Sequence, residues 1–337
     1  MGTCIYCSND ADSEEHHLPY CLGKFKGYVV LTDRICSKCN GTCGKLDEQL
    51  CRSGIEAFFR KHLEIEGRSG HEKVNPFHRG SAGDKRLEMI AVNQKTGEEV
   101  PLELVGGNRV TELRCVTLTG HDDSTYVVAI PDKMTPEQFK KRIDALPIKT
   151  FKTGDISATD EEIPWVESLV QKGLKFESRT EWTKSALGPI IYGPAKIKTT
   201  VNARYFRRIA KIGFHYFLTK MPQFRGDENC FAEIRQFIIT DGSLQDCERF
   251  VAHAQSPLGN VQSLRYWGHV LSAEAEYWQV KVRVQLFAGP GVQTRVYGVA
   301  LGRNPSRIDC ARYLGDFFGY YPKEERDEFD GEMGELF

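Results

Sequence analysis

The chain has 337 residues and a mass of 38.2 kDa, with 40% hydrophobic and 27% charged residues and a formal net charge of −1. At roughly 100–200 residues per domain this makes two or three folded units with ample apolar material for a core, and it excludes a chain dominated by disorder. No apolar run approaches the ~20 residues of a membrane span and the N-terminus lacks a signal-peptide pattern, so the expectation is a cytoplasmic protein without a membrane partner.

Near-neutral charge means that any nucleic-acid-binding surface has to be local. The anomaly is cysteine. Of eleven, seven fall in the first 51 residues: Cys4, Cys7, Cys21, Cys36, Cys39, Cys43 and Cys51. A disulfide scaffold spreads its cysteines, whereas clustering in an intracellular chain points to metal.

Residues 1–62 read as one compact unit, in which a helical pattern from Gly44 to about His62 sets Leu46, Leu50, Ile55 and Phe58 on one side, with Gly54 a point of weakness. Residues 63–85 are polar and Gly-rich and read as a linker. From 86 to 184 the segments LEMIAV, EVPLELV, VTELRCVTL and TYVVAI are strand-like, and Thr135-Pro136-Glu137 opens a short helix, giving a β-rich α+β domain. A second α+β domain is expected over 185–322. It has a helix at 201–220, another from about Asn229 to Thr240, and a hairpin around Ala288-Gly289-Pro290-Gly291. Residues 323–337 hold seven carboxylates against two cations and read as a solvated acidic tail. The fold class is therefore α+β, with mixed α/β domains following a metal-stabilised N-terminal module.

Cys4-x-x-Cys7 and Cys36-x-x-Cys39 are two knuckles. Each lets a pair of thiolates approach one ion from a tight turn, and together they complete a four-cysteine zinc site at about 2.3 Å per sulfur. Four thiolates leave no open position, so this zinc is structural and substitutes for a core that so small a unit cannot build. Cys21, Cys43 and Cys51 stand as alternative ligands. Between the knuckles lies Glu14-Glu15-His16-His17-Leu18-Pro19, and Asn40 follows the second. A carboxylate and an amide oxygen beside an imidazole can hold one hard divalent ion and leave a base free.

The order Cys-x2-Cys, Glu-His-x-x-Pro, Cys-x2-Cys-Asn and then a helix resembles the HNH (ββα-metal) endonucleases, in particular the four-cysteine zinc branch that includes the endonuclease VII-type resolvases. The resemblance covers about residues 1–60 and implies a treble-clef-like module that hydrolyses phosphodiester bonds of DNA. It implies Glu15 and Asn40 as ligands of a catalytic Mg2+ or Mn2+ and His16 as the general base. It also brings the association of such modules with bacterial restriction and anti-phage defence. Two departures are plain: Asn40 stands where the family usually has its last His, and the middle Asn of the signature would fall at Leu31 to Asp33, where none is found. A backbone carbonyl or Asp33 is the expected support for the His16 ring, and His17 is expected to face away from it.

Residues 182–226 contain nine Lys/Arg and no Asp or Glu. Arg204, Arg208, Lys211 and His215 share one face of the 201–220 helix, a stripe suited to tracking phosphates, against the plain alternative of a helix face paired with carboxylates elsewhere. RNA stays open beside DNA as the partner, and a double-strand break would call for a homodimer or two successive nicks. The rival class is a non-catalytic zinc-binding module that grips nucleic acid or protein, with one zinc and no cleavage. A small-ligand sensor in the C-terminal part has no Gly-rich phosphate loop to support it.

Overall fold

The computed structural model describes residues 2–23, 25, 30–65, 75–77, 87–92, 99–106, 109–130, 134–147, 150–173, 181–186, 196–199, 201–240, 243–254, 266–275, 279–289, 294–303 and 310–320. The acidic tail, much of the linker and the tip of the expected 288–291 hairpin lie outside them. The fold is α+β: among the described residues there are seven α-helices and fifteen strands in four sheets.

The chain divides into two compact units, one of Met1–Arg60, Glu64–Lys73 and Thr200–Phe337, the other of Lys61–Leu63 and Val74–Thr199. This differs from the expected domain order. The segment 1–62 does not stand alone as a module; it belongs to the same body as the C-terminal part. The sequence between them is an insertion in that body.

In the first unit, β1 (Ser13–His16) and β2 (Val30–Ile35) form an antiparallel pair that runs directly into α1 (Ser37–Ser53). The helix starts seven residues before the expected Gly44, because Cys36 caps it: its sulfur accepts from the Cys39 backbone N–H at 3.5 Å. Asp12 adds a second anchor, accepting from the Ser37 backbone N–H at 2.6 Å and from its hydroxyl at 2.9 Å. Gly54 does end α1, and α2 (Ile55–His62) follows.

The second unit holds two four-stranded sheets. One is built of β3 (Glu88–Val92), β4 (Glu99–Gly106), β5 (Arg109–Glu112) and β10 (Lys196–Lys198), in the order β10-β3-β4-β5. The other is built of β6 (Cys115–Thr119), β7 (Thr125–Ala129), β8 (Thr153–Ala158) and β9 (Glu181–Ala186), in the order β7-β6-β8-β9. The expected strand VTELRCVTL is thus two strands in different sheets, broken at Leu113-Arg114. Helix α3 (Pro136–Asp144) begins in a capping box of Thr135 and Gln138, and α4 (Ile163–Gly173) is the crossover between the parallel strands β8 and β9. Phe139, Val166, Leu169 and Val170 from the helices meet Val116, Leu118 and Ile156 from the sheet.

The rest of the first unit is a helical layer on an antiparallel sheet. The helices are α5 (Ala203–Lys220), α6 (Ala232–Ile239) and α7 (Leu244–Phe250). The strands are β11 (Val251–His253), β12 (Gly268–Ala275), β13 (Gln279–Ala288), β14 (Val296–Arg303) and β15 (Cys310–Gly319), ordered β11-β14-β13-β12-β15. Strands β13 and β14 pair antiparallel as the sequence suggests. Helix α5 is the hub, with Ile209, Ile212, Phe214 and Phe217 at most 1% exposed. Gly213 lets it lie close to the sheet: a Cβ there would stand 3.1 Å from Val299 and 3.4 Å from Val282. Replacing Gly213 with Leu is expected to overpack this contact and cost about 1–3 kcal/mol, read as a lower midpoint in thermal or urea unfolding.

Candidate metal centre and the polar core beneath it

The ligand atoms of Cys4, Cys7, Cys36 and Cys39 all lie within 4.8 Å of one another. Cys7 Sγ is 3.6 Å from both Cys36 Sγ and Cys39 Sγ. A tetrahedron of sulfurs at about 2.3 Å from a central ion puts neighbouring sulfurs about 3.8 Å apart, so the donor set and its spacing fit zinc. The knuckles converge because the turn carrying Cys4 and Cys7 lies against β2, with the Ile5 N–H donating to the Arg34 carbonyl at 2.8 Å, while the first turn of α1 carries Cys36 and Cys39. The thiols share their protons: burial pushes Cys36 up but the Cys39 N–H and neighbouring thiols bring it down to about 7, while burial and the same neighbours push Cys39 up.

The other early cysteines are not ligands. Cys21, in the 3-10 turn Tyr20–Leu22, is bonded to Cys51 near the end of α1. Cys43 is buried, and that burial, together with Glu15 and Asp47, pushes its thiol up to about 12 despite Lys211 nearby.

The strand β1 separates the expected catalytic residues by simple alternation. Glu14 is exposed and His16 partly so, whereas Glu15 and His17 are 7% and 2% exposed. His17 packs against Tyr216 and Phe318. His16 meets the edge of Tyr20, their ring centroids 5.9 Å apart. Asp33 sits at φ 56° in the irregular stretch of β2 between Leu31 and Ile35, which pair with Glu15 and Ser13, whereas His16 pairs with Val30. Asn40 is drawn onto β1: its amide nitrogen donates to Ser13 Oγ at 2.6 Å and to the Glu14 carbonyl at 2.9 Å, which turns its oxygen the other way.

Glu15 points inward to a cation. Lys211 Nζ, fully buried on α5, donates to Glu15 Oε1 at 2.5 Å and to Asp47 Oδ2 at 2.7 Å. Arg208, one turn earlier and also fully buried, brings its Nε to 3.8 Å from Asp47 Oδ1. Burial alone would depress the Lys211 ammonium, but Asp47 and Glu15 hold its pKa above the ordinary lysine value. Burial pushes the Glu15 carboxyl up more than Lys211 lowers it. Tyr6, from the first knuckle, joins its hydroxyl to His215 Nε2 at 2.7 Å, and burial with Lys211 nearby keeps that ring neutral.

The basic face of α5 is therefore real in its periodicity and turned to the wrong medium for nucleic acid. Arg208, Lys211 and His215 are each 0% exposed, and of the predicted stripe only Arg204 meets solvent. The face is buried because the N-terminal segment supplies its carboxylates. Asp47 and Asp12 are the site residues that sequence reasoning missed, and Lys211, expected to contact phosphates, is an internal ion-pair partner instead. Asp47 lies seven residues after Asn40, two helical turns along α1, a signal hidden once the helix was started at Gly44.

No family model matches the chain, and neither the curated proteins nor the solved structures include a match to it. No described helix is long and apolar enough to cross a membrane.

The purified protein is expected to carry about one zinc ion per chain by elemental analysis. Cys36→Ser should lose it and unfold at a markedly lower temperature, since structural zinc binding is folding free energy; retained zinc at wild-type stability would contradict the site.

Proposed function

We propose that the N-terminal segment is the hydrolytic part of an endonuclease related to the HNH kind, acting on phosphodiester bonds of DNA, with His16 as general base. The observation that carries this reading is the frame around His16. A strand pair and a helix are pinned at their ends by a four-cysteine cluster, with His16 reaching the outward side of β1 and Asn40 fastened to the same strand. An imidazole with an ordinary pKa of about 6.5 is suited to taking a proton from water near neutral pH. Tyr20 lies edge-to-face with the ring, the centroids 5.9 Å apart.

A divalent cation, Mg2+ or Mn2+, would supply charge neutralisation at the phosphate in a site of this kind. The residues present do not fit the ligand pair that the resemblance implies. Asn40 offers its oxygen, but Glu15 is buried and already bound to Lys211. That same observation favours a second reading, a zinc-stabilised module that binds nucleic acid or protein without cutting. Arg208 and Lys211 lend no support to either as phosphate contacts, because both are internal.

Supercoiled plasmid incubated with Mg2+ or Mn2+ separates the two readings. Nicking by wild type that falls by about 10²-fold or more in His16→Ala, with zinc retained in both, is the expected result. Zinc-loaded wild type that retains DNA on a gel and leaves it intact would favour the binding module, and equal nicking by both proteins would remove His16 as the base.

A further inference from the structure

We infer that Glu15 is the counter-ion of Lys211 rather than a ligand of a catalytic cation, and that Lys211, together with Asp47, is a positioning residue for His16. The second half rests on the reading of His16 as the base; the first half does not.

Four observations converge on it. The alternation of β1 sends Glu15 to the side opposite His16, into the interior against α1 and α5. There the ammonium of Lys211 takes an oxygen from each of two carboxylates on different elements, Glu15 of β1 and Asp47 of α1. Lys211 already sits between Glu15 and Asp47, so a divalent ion on Glu15 would face a buried ammonium across the carboxylate they would have to share. Nor can Lys211 simply withdraw: its side chain is 0% exposed on a helix packed against the sheet at Gly213, and an ammonium left buried without its carboxylate is among the costliest defects a core can hold.

The positioning follows from the same geometry. Lys211 fixes the carboxylate of Glu15, Glu15 fixes the face that β1 turns inward, and the next residue, His16, is thereby directed outward. Asn40 and Asp47 grip the strand from α1 at two points, at Ser13–Glu14 and through the shared lysine. Helix α5 thus holds the orientation of a side chain some 195 positions earlier in the chain.

The test uses the full zinc-loaded chain as wild type, Glu15→Gln, Lys211→Met and the double variant. It reads thermal unfolding, Mn2+ binding by electron paramagnetic resonance, and plasmid nicking. Each single change is expected to lower the unfolding midpoint by about 10 °C, and the double variant to recover at least about half of the summed loss. If Lys211→Met alone does not accumulate as folded protein, the return of folded protein in the double variant is the same result. Mn2+ affinity is expected to stay within about twofold in Glu15→Gln. A Glu15→Gln protein that unfolds like wild type, losses that simply add, or a Mn2+ affinity about tenfold weaker would each overturn the counter-ion assignment. For positioning, the folded double variant should lose nicking rate by about tenfold or more with KM for DNA unchanged, and a wild-type rate would overturn it. A wild type that does not cut would remove the positioning role along with the reading beneath it, and leave the counter-ion assignment to the unfolding data.

Discussion

An ammonium ion sealed inside a protein has to find negative charge, and Lys211 finds it on two elements of the cysteine-rich N-terminal segment, β1 and α1. Its partners, Glu15 and Asp47, lie 196 and 164 positions away in sequence, so the contact draws two distant elements of the first unit to a single nitrogen. Such a pair is costly to desolvate and costlier to break. Both of the Lys211 bonds form when β1 and α1 together bring their carboxylates to the same nitrogen of α5. The rest of that region follows, with Tyr6 reaching His215 from the first knuckle and Tyr205 donating to Glu56 at 2.7 Å on the far side of Arg208.

The four-cysteine cluster and the ion cluster do complementary work. The cysteines fix the short-range geometry of the segment, bringing the turn at Cys4–Cys7 onto the start of α1. The lysine fixes how that segment sits on the large helix. Between them, β1 is held from outside by Asn40 and from inside by Lys211, and the residues of the strand and the one that follows it are sorted into an outward pair, Glu14 and His16, and an inward pair, Glu15 and His17. Any chemistry on the outward side has to be done with what that sorting leaves there.

What the sequence could convey follows from the range of each signal. The two Cys-x-x-Cys knuckles are local and their spacing suits a tetrahedral metal site, so the convergence of Cys4, Cys7, Cys36 and Cys39 could be read without a structure. Helix α5 was legible to within two residues from its apolar period, and the face shared by Arg204, Arg208, Lys211 and His215 from the same arithmetic. Periodicity states which side chains share a face and is silent on what that face meets. The carboxylates that draw Arg208 and Lys211 inward are over 150 residues away, and nothing local announces them. The same blindness applied to Glu15, because a carboxylate beside a histidine looks alike whether it waits for a metal or already holds a lysine. The strand break at Leu113-Arg114 failed for another reason: an unbroken run of β-formers carries no mark where the chain passes from one sheet to the next.

The most direct test of this arrangement is the nitrogen-15 spectrum of the lysine ammonium groups in the zinc-loaded chain at neutral pH. Exposed ammonium protons exchange with water too fast to be seen, whereas one held between two buried carboxylates is protected. The arrangement predicts a protected ammonium resonance that disappears in Lys211→Met and shifts in Glu15→Gln. A spectrum in which Lys211 gives no protected signal, or in which Glu15→Gln leaves that signal in place, would mean that α5 does not hold the strand in this way.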